Sequence, residues 1–138
     1  GQIGATQVGA ERLRLLCAEY GVDVVRQVMS RILASASLRL GRELIALPDG
    51  DAECEGLLDH DGADLSTPVR IAVQVRKRGD RLDIDFSGSA GQTQGPVNLT
   101  PWTARSVSLL AVLAATDPSI PVNSGLLDNV EVTLPPSS

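Results

Sequence analysis

Apolar residues near the start of the chain recur at roughly helical spacing: Val8, Leu13, Leu16 and Tyr20. The pattern predicts a short helix over 5–20, closed by Gly21. The next run is stronger. Val24, Val28, Ile32, Ala36, Leu40 and Leu44 step by four, flanked by Val25, Met29 and Leu33. Arg26, Gln27, Arg31, Arg39, Arg42 and Glu43 fill much of the other face. A longer helix follows from this, capped by Asp23 and ended by Pro48 with Asp49-Gly50. Only Gly-Val-Asp separates the two, so an antiparallel helical hairpin is expected.

The period changes after residue 50. "DAECEGLL" predicts a weak strand. In "PVRIAVQVRKRGDRLDIDF", Val69, Ile71, Val73 and Val75 alternate with Arg70, Ala72, Gln74 and Arg76. Gly79-Asp80 is a two-residue hairpin turn. It pairs Val75 with Ile84 and Val73 with Phe86 on one face, and Arg76 with Asp83 on the other. A one-residue slip would put the apolar sets on opposite faces, so the register is self-consistent. Arg78 opposite Arg81 is a small like-charge cost at the tip. Thr100 caps, and Pro101 opens, a third helix to about Thr116. Its expected face is Val107, Leu110, Ala111 and Ala114, with Leu109 and Leu113 adjacent. "LDNVEVTL" closes as a strand with Val130, Val132 and Leu134 alternating. The order is α-α-β-β-β-α-β, an α+β arrangement in one domain.

Composition narrows the classes of function. The 138 residues suffice for one domain with a sizeable core, and Trp102, Tyr20 and Phe86 are the only aromatics, so that core is aliphatic. Net charge is -5 and the pI is near 4.7. An acidic chain with few aromatics lacks both the basic footprint and the stacking platforms of nucleic-acid binding. No apolar run approaches a membrane span. Cys17 and Cys54 form no CxxC, and packed, reduced thiols in a cytoplasmic protein are expected. The chain begins "GQIGATQVGAERL" and stops at "TLPPSS", so both ends read as cut from something longer.

Candidate chemistry is sparse. "DFSGSAGQTQGPVN", 85–98, joins a strand to a helix through small hydrogen-bonding residues. It is no P-loop, because no Gly-Lys-Ser/Thr follows. Its glycines at 88, 91 and 95 do not form GxGxxG, and no G-x-S-x-G is present. It could wrap an anion or polar substrate through backbone amides, or serve as an ordinary connector. "DHDGAD", 59–64, offers Asp59, His60, Asp61 and Asp64, but Asp64 and Arg70 stand where a calcium loop would need Gly and Glu. An acidic, solvated turn is the favoured reading. Cys17 has no base nearby, His60 being the sole histidine. Asn98-Leu99-Thr100 matches a glycosylation sequon, though Thr100 is better used as a cap. No complete catalytic set appears.

Several stretches, in order, resemble one family. "GQIGATQVGAERL", "YGVDVVRQVMSRIL", "ALPDG" with the acidic turn "DHDG", "PVRIAVQVRKRGDRLDIDFSGSAGQTQGPVN" and "DPSIPVNSGLLDNVEV" are similar to runs of the hydantoinase B / 5-oxoprolinase family, over nearly the whole chain. The resemblance implies a portion of a hydrolase subunit that opens a cyclic amide of the 5-oxoproline or hydantoin type, inactive alone. It works with a hydantoinase A-like subunit or domain. The family also holds subunits of acetone-type carboxylases, and a non-catalytic scaffold is the alternative from another class. The resemblance implies ATP for the whole enzyme and admits a divalent metal there, with no cofactor bound by this portion. Catalytic residues would lie upstream, and none is carried over to a position here. Homo-oligomerisation is left open. The loop becomes either a substrate or interface loop, with Ser87, Ser89, Gln94 and Asn98 as hydrogen-bonding candidates and Asn123 as a weaker one, or a rigid architectural loop in which Pro96 and Asn98 set the path into the third helix.

Overall fold

A computed structural model describes residues 1–135. Two helices, α1 (Gln2–Tyr20) and α2 (Val22–Ala46), precede three strands, β1 (Gly50–Leu58), β2 (Val69–Arg78) and β3 (Arg81–Asp85). Helix α3 (Pro101–Ala115), a short 3-10 turn over Ser124–Asp128 and strand β4 (Val130–Thr133) complete the chain. The α+β order is the expected one. Among the described residues no helix is long and apolar enough to cross a membrane.

The strands form one mixed sheet in the order β1-β2-β3-β4. β1, β2 and β3 are a meander of antiparallel neighbours, with Val75 opposite Ile84, Arg76 opposite Asp83 and Arg78 opposite Arg81. The ladder closes at Gln74 and Asp85, one pair short of Val73 and Phe86, and both of those pack against the core. Gly79 takes φ +55, a left-handed turn conformation in which a Cβ is strained. The two arginines at the tip part company. Arg78 donates to the Asp51 carboxylate at 2.7 Å and to the Gly50 carbonyl at 2.9 Å, while Arg81 donates to the Asp128 carbonyl. β4 runs parallel to β3, because the chain crosses over through α3 before returning to the sheet.

The core lies between α2, α3 and the β3–β4 side of the sheet. Ala36, Leu40 and Leu44 of α2 meet Leu82, Ile84, Val130 and Val132 of the sheet and Leu109, Val112 and Leu113 of α3. Two buried polar groups tie the layers. Asn129 accepts from Ser37 Oγ at 2.9 Å and donates to the Asp80 carbonyl at 3.0 Å, linking α2, the hairpin tip and β4. Lys77 donates to the Leu47 carbonyl at 2.6 Å and to Asp49 at 2.8 Å, pinning the end of α2 to β2.

Several local expectations are corrected. Asp23 is not a cap: α2 starts at Val22 behind Gly21, with no side-chain capping bond, and Asp23 lies in the first turn. There a carboxylate still favours the positive end of the helix dipole. The apolar stripe of α2 is buried only in its second half, while Val24, Val28 and Ile32 stay about half exposed. No residue of α1 is buried, so the two helices share no sealed apolar face. In α3 the core takes Ser108, Leu109, Val112 and Leu113, whereas Val107 and Leu110 are exposed. A rotation about the helix axis separates this from the expected face, because α3 is apolar nearly all round and tertiary contacts choose the side. Cys54 does not pack: β1 is exposed along its whole length, and Cys54 and half-buried Cys17 are both free thiols. Thr100, as expected, caps α3 by accepting from the Thr103 amide.

Candidate functional site

The loop after β3 is held by bonds of its own and by bonds to β2. Ser87 donates its amide to Asp85 Oδ1 at 2.7 Å. The Ser89 amide reaches the Phe86 carbonyl at 2.8 Å and the Ala90 amide the Arg70 carbonyl at 2.9 Å. The Ser89 hydroxyl accepts from the Ala72 amide and donates to the Ala72 carbonyl, both at 2.9 Å. It thereby takes a strand's place beside β2 where β3 has ended. Farther on, Asn98 closes a ring: its oxygen accepts from the Thr93 amide at 2.9 Å, and its nitrogen donates to the carbonyls of Thr93 at 2.9 Å and Gly95 at 3.0 Å. Gln94 is exposed. Asn123 lies apart from this loop. Its side chain accepts from the Gly125 amide at 2.9 Å and caps the 3-10 turn.

One residue missing from the expected set organises the region. Asp61 is 6% exposed, inside a turn expected to be solvated. Its Oδ1 accepts from the amides of Ala63 at 2.8 Å and Asp64 at 2.7 Å, and its Oδ2 from the Gly95 amide at 2.9 Å. The Asp64 and Ala63 amides, with Gly95 after them, hold the Asp61 carboxyl below its ordinary range against the opposing effect of burial. Asp64 is pulled to about 2, chiefly by the Ser66 hydroxyl and then Thr67. Gly95 admits no side chain, since a Cβ there would sit 1.8 Å from the Asp61 carbonyl oxygen. Asp61-Gly62 is a legible turn signature. Its partner Gly95, 34 residues away, is not legible, because nothing local marks that contact.

The loop walls a cleft of about 260 Å³, and the 59–64 turn braces that loop from behind without lining the cleft. Leu58, Val69 and Ile71 of β1 and β2 form its floor, Thr93, Val97 and Leu99 one side, and Val107 and Ser108 of α3 the other. The expected α3 face thus finds partial use: Val107 looks into the cleft rather than the core. Ser89 and Asn98 also line it, with their polar atoms already engaged, while Ser87, Gln94 and Asn123 do not.

Not every amide of the loop is free to meet an anion. Those of Ser87, Ser89, Ala90, Thr93 and Gly95 all have acceptors within the chain. Nor do three His, Cys, Asp or Glu side chains converge as metal ligands among the described residues.

A family model described as hydantoinase B/oxoprolinase matches residues 1–138. A protein of Pseudomonas sp. (strain NS671), provisionally named as the B component of a D-/L-hydantoinase, is 33% identical across 97% of this chain and 24% of its own length. The beta subunit of the Pseudomonas jessenii caprolactamase is 30% identical across 99% of this chain and 23% of its own. The crystal structure of the ATP-dependent caprolactamase from the same organism superposes with a TM-score of 0.82 at 30% identity, over 98% of this chain and 23% of that one. The acetophenone carboxylase delta subunit of Aromatoleum aromaticum is 28% identical across 88% of this chain and 18% of its own. The chain therefore spans about a quarter of the length of the hydantoinase and caprolactamase subunits it matches.

Proposed function

The chain belongs to the hydantoinase B/oxoprolinase family, and from that membership we propose that it is a portion of an ATP-dependent subunit that opens a cyclic amide. The observation that carries the reading is the whole-chain superposition on the caprolactamase, at 30% identity. Ring opening adds water across the C–N bond, so the acyl carbon gains an oxygen and the nitrogen a proton. On this reading the acid and base for that step come from other parts of the enzyme. ATP-dependent activation likewise belongs to other parts, including a hydantoinase A-like partner. A cytoplasmic setting, which keeps both thiols reduced, is part of the same proposal.

The portion's own contribution is the cleft. Its lining is mostly apolar, its size lies near the lower end for small-molecule sites, and the side chains of Arg70, Ser89 and Asn98 that border it are already bonded inside the chain. It therefore suits the hydrocarbon ring of a cyclic amide. Ser87, Gln94 and Asn123 take no part in the cleft on this reading, and Ser89 and Asn98 shape it rather than bind.

The test is to co-express the complete subunit with its A-type partner and assay ATP-dependent opening of caprolactam, 5-oxoproline and a hydantoin. Turnover of at least one is expected, and turnover of none overturns the reading. The match to an acetophenone carboxylase subunit favours a second reading, ATP-dependent carboxylation of a ketone. Bicarbonate-dependent consumption of acetone or acetophenone by the same preparation would establish it instead.

A further inference from the structure

The cleft's loop side is held in place from outside itself. Within 93–98 the bonds of Asn98 close a ring, but they do not attach that ring to the rest of the fold. The attachment is made by Asp61, whose buried carboxylate receives the Gly95 amide. The contact is close on both sides. Gly95 has no room for a Cβ against the Asp61 backbone, and Gly62, at φ +90, would meet the Pro96 ring at 3.4 Å. The same carboxylate also fastens its own turn through the Ala63 and Asp64 amides. One side chain thus joins two segments that are distant in sequence, and its two oxygens divide the work.

We propose that Asp61 is a positioning residue for the cleft: through Gly95 it sets the distance of the 93–98 wall from α3, and so the fit of the group the cleft receives. The proposal rests on the functional reading above only for its activity arm. Asp61 touches no substrate and acts through Val97 and Leu99, the wall side chains on either side of Asn98.

The two oxygens allow a clean test. Asp61→Asn keeps one carbonyl oxygen for the Ala63 and Asp64 amides and turns an NH2 toward the Gly95 amide. The local turn is preserved and the interloop bond is lost. Gly95→Ala breaks the same contact from the other side. In the complete subunit, hydrogen–deuterium exchange over 91–99 should quicken about tenfold in Asp61→Asn, the factor expected on losing a hydrogen bond to a charged group, and by at least as much in Gly95→Ala. Peptides from α2 and from β2–β3 should be unchanged. In the assembled enzyme, KM for the cyclic amide that the wild type opens should rise by about the same factor, with kcat falling less. The double variant should be no worse than Gly95→Ala alone, since that variant already removes the contact Asp61 makes. Unchanged exchange over 91–99, or equal quickening throughout the subunit, overturns the proposal. So does an unchanged KM beside quickened exchange. If the wild-type enzyme opens no cyclic amide, the functional reading fails and the exchange measurement alone decides the clamp.

Discussion

Gly125 gives the sharpest stability prediction. The 3-10 turn over Ser124–Asp128 lies directly on α2, and a Cβ at Gly125 would sit 2.2 Å from the Leu33 carbonyl oxygen and 2.8 Å from its carbon. Real Cβ contacts essentially never fall below 3.0 Å. Gly125→Ala must therefore lift the turn from α2 by close to an ångström, and the obstacle is helix backbone, which cannot rotate away. The turn carries Leu126, fully buried, and leads into Val130, 2% exposed, so lifting it loosens the centre of the core. Overpacking of this kind costs about 2–3 kcal/mol. For a chain of this size that lowers Tm by about 8 °C. Gly56→Ala is the control: it lies in β1 with nothing within 4 Å of its Cβ, and should leave Tm unchanged or slightly raised. Thermal melts followed by circular dichroism at one pH decide the matter. A Gly125→Ala melt within about 2 °C of wild type, or an equal loss in Gly56→Ala, would refute the steric argument.

Lys77→Met keeps the aliphatic stem but leaves the Leu47 carbonyl without its donor, and should lower stability by about 1–2 kcal/mol, read as a lower urea midpoint at constant m-value. Acid should act through the 59–64 turn. The folded-state pKa of Asp64 is depressed from 3.8 to about 2, so the stability it contributes is present above the unfolded value and is lost as pH falls through the folded one. Tm should therefore drop between about pH 4 and 2, and Asp64→Asn should flatten that drop while leaving the slope above pH 5 alone. Asn98→Ala opens the 93–98 ring and should cost about 1 kcal/mol, with faster exchange of the Thr93 amide as its local signature.

Much of the fold was legible because local chemistry specified it. Alternation in 69–86 with a Gly-first turn determined the hairpin and its register, since a slip would expose every apolar residue. Thr100-Pro101 marked the start of α3, and the step of four marked α2. The family was legible too, through an ordered set of segments. What the pattern alone could not supply was the choice among equivalent apolar faces. α3 is apolar on most sides, and only packing against the sheet decided that Leu109 and Val112 go inward while Val107 faces the cleft. α2 carries one continuous stripe, yet only its second half meets the core. The candidate site follows the same division. The loop stood out by composition, but hydroxyl and amide groups that look free in a sequence can be spent on the chain's own backbone, as those of Ser89 and Asn98 are. Asp61 reads in sequence as part of a solvated turn, because its distant partner Gly95 lies on another loop. Periodicity and capping are short-range and can be read from neighbours in the chain. Burial, and the pairing of Asp61 with Gly95, arise only when distant segments close on one another.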